Sequence, residues 1–320
     1  MVTLPQFQEA RRRIAPVAVR TPLIRYFSAH SRDPRQLYLK LESMQPIGSF
    51  KLRGAYNMIA SLAPEERSRG VITYSSGNHA QGVGYAARAL GIAAVVVMPD
   101  NAPAMKVEAT RALGAEVVFV GPASSERQKK AEEIAAERGL TIVPPYNDER
   151  IIAGAGTAGM EILEDLPDVD VVLAPVSGGG LLSGTATAIK LMKPSVKVIG
   201  VEPELAADAQ ESLHTGSLIT WPAEKTTRTI CDGLRTQTLG AINYEHIRGY
   251  VDDIVTVSEA QIKQAVKTLA LHGRIVAEPS GAVTAAAFLS GELKLPTGSR
   301  YAAIVSGGNI MPEMLRELLA

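Results

Sequence analysis

The stretch of residues 71–98, VITYSSGNHAQGVGYAARALGIAAVVVM, decides the fold class. Its first four residues, Val71–Tyr74, predict a short strand, and residues 80–90 predict a helix after a small polar loop. Residues 93–98 form a continuous apolar run, which is typical of a strand buried on both faces. A helix between two such strands predicts a parallel sheet that is covered by helices.

The same alternation continues along the rest of the chain. Further strands are predicted at 116–120, 141–143, 169–176, 196–202, 254–257 and 302–306, with helices ending at 110–113 and spanning 125–138 and 152–166. We therefore expect an α/β protein with two open, twisted, mostly parallel sheets flanked by helices. Residues 47–145 are expected to form a small domain, and residues 1–46 with 146–320 a large one, because prolines mark crossings near residue 46 and at 144–145.

Composition limits the classes of partner. The 320 residues include 33 basic and 33 acidic side chains, so the formal net charge is zero and gives no reason to expect nucleic acid or a membrane surface as partner. No apolar run is long enough to cross a bilayer, and the first residues contain no signal core. The single cysteine, Cys231, cannot form an internal disulfide and excludes a Cys-rich zinc site. These features predict a cytoplasmic protein.

Lys51 stands out in the run Gly48-Ser49-Phe50-Lys51-Leu52-Arg53-Gly54, near the start of a predicted helix. If the ammonium group of Lys51 is partly desolvated, its pKa falls and the free amine becomes a nucleophile that can form a Schiff base. A lysine in this position could also be ion-paired or could extend to solvent.

Three loops rich in glycine or serine follow predicted strands, at the sheet edge where ligands bind in open parallel sheets. The first, Ser75-Ser76-Gly77-Asn78-His79, leads into a helix whose free amides favour an anion such as a carboxylate, although a simple helix cap is an alternative. The third, Ser306-Gly307-Gly308-Asn309, places a hydroxyl where a flat ring could meet it, or it is an ordinary tight turn.

The second loop, residues 177–184 with the sequence SGGGLLSG, has consecutive glycines that let backbone amides converge on a phosphate. It also approaches the dinucleotide fingerprint, since Gly178-x-Gly180-x-x-Ser183 precedes a strand that ends near Glu202, a possible ribose ligand. A nicotinamide-dependent dehydrogenase is therefore an alternative, although Ser183 replaces the third glycine and Lys51 stays unexplained.

The lysine run and the three loops, in this order, resemble the pyridoxal-phosphate enzymes of the tryptophan-synthase-β-like fold, called fold type II. Within them the chain is most similar to serine/threonine dehydratases and serine racemases. The resemblance covers nearly the whole chain and implies an active site between a small and a large domain. It implies that Lys51 carries the internal aldimine. The other cofactor contacts that it implies are Phe50 beside the ring, Asn78 at the phenolic oxygen, Ser306 at the pyridine nitrogen, Gly233 against the ring, and Ser177, Gly178, Gly179, Gly180 and Leu181 around the phosphate.

The resemblance also implies a reaction. It predicts an ammonia-lyase (dehydratase) that converts threonine or serine to a 2-oxo acid and ammonia, with the substrate carboxylate held by Ser75, Ser76, Gly77, Asn78 and His79. A neutral hydroxyl at the ring nitrogen makes the cofactor a weaker electron sink, which favours prompt loss of a β-hydroxyl. In similar racemases a serine at the position of Ser76 lies opposite the lysine as a second base, so a serine/aspartate-type racemase is the alternative.

Two further sites follow from the resemblance. Glu202, Ala206 and Asp208 match the ligands of metal-activated members and imply Mg²⁺, with Ca²⁺ or Mn²⁺ able to substitute; an ordinary acidic loop is the alternative. Arg127 resembles an arginine that grips a second carboxylate, which would make 3-hydroxyaspartate a substrate, or it is a solvated helix residue. A homodimer is expected. The chain ends at Ala320, so feedback control through an appended regulatory domain is not expected.

Overall fold

The computed structural model describes residues 1–27, 33–75, 77–102, 104–121 and 124–320. In these residues the strands are β1 (Leu23–Arg25), β2 (Gln36–Leu41), β3 (Val71–Tyr74), β4 (Ala94–Pro99), β5 (Glu116–Val120), β6 (Thr141–Ile142), β7 (Val171–Pro175), β8 (Lys197–Pro203), β9 (Asp253–Val257) and β10 (Arg300–Val305). They confirm the predicted α/β class with two mostly parallel sheets.

The helices of the described residues alternate with these strands and cover both sheets. They are α1 (Leu4–Ile14), α2 (Lys51–Ala60), α3 (Pro64–Arg69), α4 (Asn78–Leu90), α5 (Ala104–Ala112), α6 (Ser124–Arg138), α7 (Glu149–Asp165), α8 (Gly180–Met192), α9 (Asp208–Thr215), α10 (Ala223–Thr226), α11 (Ala241–Tyr250), α12 (Glu259–Thr268), α13 (Pro279–Leu289) and α14 (Pro312–Leu319). None of the helices in this part of the chain is long and apolar enough to cross a membrane.

The two sheets differ in size and strand direction. The larger has the order β1-β2-β10-β7-β8-β9, and only β1 runs antiparallel to its neighbour. The smaller, β5-β4-β3-β6, is parallel throughout. All residues of β4 and β7 are buried, as expected for strands with helices on both faces.

The structure differs from the prediction at several boundaries. β1 and β2 were not predicted, because β1 has only three residues and β2 contains a lysine, Lys40, that is fully buried. The helix predicted at 152–166 begins earlier, at Glu149, because the Asp148 side chain accepts a hydrogen bond from the backbone of Arg150 and caps it. Likewise α4 begins at Asn78 rather than at residue 80, directly after Gly77.

Glycines allow α2, α7 and α8 to pack backbone against backbone. A Cβ added at Gly184 would lie 2.4 Å from the carbonyl oxygen of Ile152, and one at Gly154 would lie 2.4 Å from that of Arg53. These close contacts join the helix that begins with Lys51 to the helix that follows the glycine-rich loop. They therefore bring two of the predicted site segments together.

Candidate active site

Lys51 is the first residue of α2, and its side chain turns into the protein. Its Nζ donates a hydrogen bond to the carbonyl oxygen of Pro145 at 2.8 Å and lies 5.2 Å from the centroid of the Phe50 ring. Among the described residues no carboxylate forms an ion pair with it, and burial lowers the pKa of Lys51 to about 8. A lysine in this state has a much larger fraction of free amine at neutral pH than an ordinary one.

The third loop lies directly beside Lys51. The backbone amide of Phe50 donates to the carbonyl oxygen of Ser306 at 3.0 Å, and Ser49 forms a β-bridge with Gly307. The Ser306 hydroxyl is buried and makes one long hydrogen bond, 3.4 Å, to the carbonyl oxygen of Ser280. The Ser280 hydroxyl in turn accepts from the backbone amide of Gly233 at 3.0 Å. Ser306 and Gly233 are thus brought together through Ser280, at the start of α13.

Asn78 is held by two side chains that lie far away in the sequence. Its Nδ2 donates to Glu278 Oε1 at 2.6 Å, and its Oδ1 accepts from Asn309 Nδ2 at 2.7 Å. Gly307 leaves room for this arrangement, since a Cβ there would lie 2.2 Å from Glu278 Oε1. The amide group of Asn78 keeps its second hydrogen for another acceptor.

The glycine-rich loop packs against Tyr146 and turns into α8. A Cβ at Gly178 would lie 2.3 Å from the Tyr146 ring, and Gly179 has a φ of +98°, in the region that favours glycine. The Ser177 hydroxyl is 2.6 Å from the hydroxyl of Thr236. The first amides of α8, from Gly180 and Leu181, have no carbonyl partner within the helix and carry its positive dipole end. This cradle suits a phosphate group.

Comparison with known families identifies the chemistry of this arrangement. Residues 14–307 match the model of the family described as pyridoxal-phosphate dependent enzyme. The chain belongs to this family. The match confirms the resemblance seen in the sequence and implies pyridoxal phosphate as cofactor, and it decides against the dinucleotide interpretation of the glycine-rich loop.

Relatives in this family are similar over nearly the whole of this chain and most of their own length. An L-threonine ammonia-lyase of Thermotoga maritima is 45% identical, over 100% of this chain and 78% of the relative. A catabolic L-threonine dehydratase of Staphylococcus aureus is 42% identical, over 97% of this chain and 90% of the relative. Among solved structures, maize serine racemase superimposes with a TM-score of 0.94 at 38% identity, covering 99% of this chain and 96% of that one. A threonine deaminase of T.th. gives a TM-score of 0.91 at 42% identity, covering 97% of this chain and 99% of that one.

The residues present fit the family's cofactor. The unbonded amides at the start of α8 would hold its phosphate, Lys51 would attach its aldehyde carbon, and Ser306 and Asn78 offer hydroxyl and amide groups for its polar ring atoms. Phe50 lies beside Lys51 and offers an apolar surface.

The first loop is only partly described, and Ser76, the predicted second base, lies outside the described residues. The Ser75 hydroxyl accepts from the Gly77 amide at 3.3 Å, and a Cβ at Gly77 would meet nothing within 4 Å, so open space adjoins the start of α4. The His79 ring is buried and lies 3.0 Å from the carbonyl oxygen of Val143, which makes Nε2 the donor. Burial, with the charge of Lys51, lowers the pKa of His79 to about 3, so the ring is neutral. Only its backbone amide is therefore left for a substrate carboxylate.

The predicted metal ligands lie at the end of β8 and directly after it: Glu202 is in β8, Ala206 follows the strand, and Asp208 begins α9. Both carboxylate oxygens of Glu202 accept backbone hydrogen bonds, from Ala209 at 3.2 Å and Gln210 at 2.9 Å. The Asp208 carboxylate is buried with no hydrogen-bond partner among the described residues, and burial raises its pKa to about 7. Burial and the nearby Asp208 also raise the pKa of Glu202. Among all the residues that the structure describes, no cluster of three or more His, Cys, Asp or Glu could hold a metal ion. A cation at this site would therefore use two carboxylates and a carbonyl such as that of Ala206.

Arg127 lies in the first turn of α6, a helix that packs against β3 and β4 of the smaller sheet. Its side chain is half-buried, and burial lowers its pKa. The contacts given for Arg127 do not include Lys51, and its role in binding a second carboxylate stays a prediction.

Glu278 is a further functional candidate, outside the residues to which the resemblance gave a role. It is buried at the N-terminus of α13, and burial, then the charge of Asp232, raises its pKa to about 8. The only local signal was an acidic residue before a proline that opens an apolar helix. Its contact with Asn78 spans 200 positions of sequence, which no local pattern could reveal.

We expect the Glu278→Gln variant to change how stability depends on pH. The folded pKa of Glu278 is raised, so its contribution is favourable below the unfolded pKa of about 4 and is lost as pH rises through about 8. The variant should therefore lose less stability than the parent between pH 5 and 8, by up to a few kcal/mol. Urea unfolding at both pH values measures this, with exposed Glu245→Gln as control. Parallel pH curves for parent and Glu278→Gln would contradict it.

Proposed function

We propose that the protein is a pyridoxal-phosphate-dependent ammonia-lyase that dehydrates L-threonine and L-serine to a 2-oxo acid and ammonia. The observation that carries this proposal is the position of Lys51, with a pKa of about 8, directly beside the loop of Ser306 and on a helix packed against α7, which in turn packs against α8. Relatives that are 45% and 42% identical, named threonine ammonia-lyase and threonine dehydratase, support the same reaction.

The bound cofactor would supply an electron sink for the substrate's Cα. Lys51 would attach it and, once displaced by the substrate amine, would accept the α-proton at Nζ, because its lowered pKa gives a larger fraction of free amine near neutral pH. The amides at the start of α4 would bind the substrate carboxylate, and the open space beside Gly77 would give it room.

The side chains around the ring would set its protonation and orientation. Ser306, a neutral hydroxyl with one weak hydrogen bond, can turn to the pyridine nitrogen without forcing a proton onto it. Asn78, fixed by Glu278 and Asn309, would donate its second amide hydrogen to the phenolic oxygen. A cofactor held by this neutral hydroxyl would be a weaker electron sink, which would suit a substrate with a β-hydroxyl as leaving group.

The test is product formation from a small set of amino acids. With L-threonine, L-serine and 3-hydroxyaspartate as substrates, we expect 2-oxo acid and ammonia in equal amounts, with L-threonine or L-serine turned over fastest. Absence of 2-oxo acid from a purified protein that contains the cofactor would refute the proposal.

Comparing Arg127→Ala with the parent on hydroxyaspartate and threonine tests the proposed second carboxylate site. A selective rise in KM for hydroxyaspartate is expected.

Racemisation is the second candidate, and the TM-score of 0.94 to maize serine racemase favours testing it. Ser76 would be the base on the face opposite Lys51. Chiral chromatography of the same reactions tests racemisation. D-serine formed from L-serine would support it, and the absence of D-serine would leave the lyase reaction as the only candidate of the two.

Three further features belong to the proposal. They are a Mg²⁺ site at Glu202, Ala206 and Asp208, a cytoplasmic homodimer, and division into a small domain of residues 47–145 and a large one of residues 1–46 with 146–320. The buried Asp208 carboxylate without a partner in the described chain supports the metal site. The separation of the strands into a sheet spanning residues 71–142 and a second sheet built from the rest supports the division.

A further inference from the structure

Four buried charged residues lie behind the helix that carries Lys51. Lys40 is in β2, Glu42 follows that strand, Arg53 is in α2, and Glu161 is in α7. Lys40, Glu42 and Arg53 are 0% exposed and Glu161 is 5% exposed. The two cations and two carboxylates balance. We call these four residues the charge cluster.

Arg53 is the centre of the charge cluster and makes two bidentate ion pairs. Its Nε and Nη2 each donate to Glu42 at 2.8 Å, and its Nη1 and Nη2 each donate to Glu161 at 2.8 Å. Nη1 also donates to Thr157 Oγ1 at 3.0 Å and Nη2 to the carbonyl oxygen of Val19 at 3.3 Å. The planar guanidinium is therefore fixed in both position and orientation.

Lys40 completes the cluster through Glu161 and Thr21. Its Nζ lies 2.6 Å from Glu161 Oε2 and donates to the carbonyl oxygen of Thr21 at 2.6 Å. The Thr21 hydroxyl donates to Glu42 Oε1 at 2.6 Å. Every carboxylate of the cluster is thus held by partners from several elements, and Arg53 is the member that links them to α2.

Stability alone is a poor account of such a cluster. Removing four charged groups from water is costly, and well-packed apolar side chains of similar volume often stabilise a protein as much or more. Two bidentate ion pairs do fix geometry, because the planar guanidinium forms both of them well in one orientation only. The contact between Gly154 and the Arg53 backbone fixes the same turn of α2 from a second direction.

We propose that Arg53 is a positioning residue for Lys51. Arg53 follows Lys51 by two residues in the first turn of α2, a turn whose N-cap residue, Phe50, makes no side-chain capping bond. The forks to Glu42 and Glu161 set the rotation of that turn about its axis and so the direction in which Lys51 Nζ projects. This inference rests on the proposed role of Lys51.

Two variants of the holoenzyme test the inference. Arg53→Lys keeps the charge, but its ammonium group cannot form both forks. The double variant Glu42→Gln with Arg53→Met removes both forks and keeps the cluster neutral, since the Lys40–Glu161 pair remains. Lys190→Met, which breaks a partly buried ion pair with Asp252, is the matched control for loss of an ion pair that does not involve the charge cluster.

For both test variants we expect kcat on L-threonine to fall about 10- to 100-fold with KM nearly unchanged, because a displacement of about 1 Å has that effect on chemistry. The visible circular dichroism per bound cofactor should fall as well, since it reports how the ring is held. Borohydride fixation at Lys51 should slow in the same variants. Lys190→Met should alter the unfolding temperature only.

Failure of this inference is distinguishable from failure of the proposed function. If the parent enzyme is not fixed by borohydride at Lys51, the proposed function fails. If it is, and folded variants keep the parent's kcat, dichroism and fixation rate, Arg53 does not position Lys51. Loss of folding in both variants would also overturn the inference, because the cluster would then serve stability.

Discussion

The Lys51→Ala variant should lose at least about four orders of magnitude in kcat on L-threonine, because one side chain is assigned both covalent attachment and proton transfer. Its Nζ has a pKa of about 8 and forms no ion pair with a described carboxylate, so its substitution leaves no buried charge unpaired. We therefore expect the variant to fold. Steady-state assay of 2-oxo acid measures the loss.

Covalent labelling gives this prediction a second, independent measurement. After borohydride treatment of the parent enzyme, mass spectrometry of peptides should place the cofactor on Lys51 and on no other lysine. Lys197→Ala, which removes an exposed lysine paired with Asp252, is the control and should keep full activity and labelling. Full activity in Lys51→Ala, or label at another lysine of the active parent, would refute the assignment.

Removal of divalent cations should destabilise the protein through one carboxylate. Asp208 is buried without a hydrogen-bond partner among the described residues. Its charge is close enough to Glu202 to raise the pKa of Glu202. A bound cation would offset the cost of keeping these two groups ionised. With Mg²⁺ at about 100 times its dissociation constant, the free energy of unfolding should rise by about 2.7 kcal/mol over that in chelator.

The Asp208→Asn variant should abolish the stabilisation by Mg²⁺. In chelator it should be at least as stable as the parent, because an uncompensated buried charge is gone, and Mg²⁺ should add nothing measurable. Glu204→Gln, at an exposed position of the same loop, should respond to Mg²⁺ like the parent. Thermal unfolding with and without Mg²⁺ measures all three proteins. Equal stabilisation of the parent and Asp208→Asn would place the cation elsewhere.

Local patterns in the sequence were enough for the fold class and for the positions of Lys51 and the three loops. Continuous apolar runs such as that in β4 identify strands buried on both faces, and small polar residues after them mark the ligand-binding edge. Short strands and strands with polar residues could not be predicted in this way. β2 was missed because its buried Lys40 breaks the apolar pattern, and that burial depends on Glu161, 121 positions later.

The supporting groups of the site could not be predicted for a similar reason. Glu278 meets Asn78, and Arg53 meets Glu161, only because the chain returns to the same place after 200 and 108 residues. His79 shows a similar limit. The resemblance placed it at the substrate carboxylate, but it could not tell that the ring is turned inward to Val143 and leaves only the backbone amide for that contact. Sequence places a residue on an element, whereas the direction of its side chain depends on what packs against it.

The close packing of α2 on both of its sides limits where the enzyme can flex. A Cβ at Gly154 would collide with the Arg53 carbonyl on one side, and one at Gly82 would lie 3.2 Å from the Lys51 backbone on the other. α2 is thus wedged between α7 beside the larger sheet and α4 of the smaller one. Any movement of one sheet relative to the other would therefore need a hinge outside this helix, and Lys51 would keep its place while its surroundings shift.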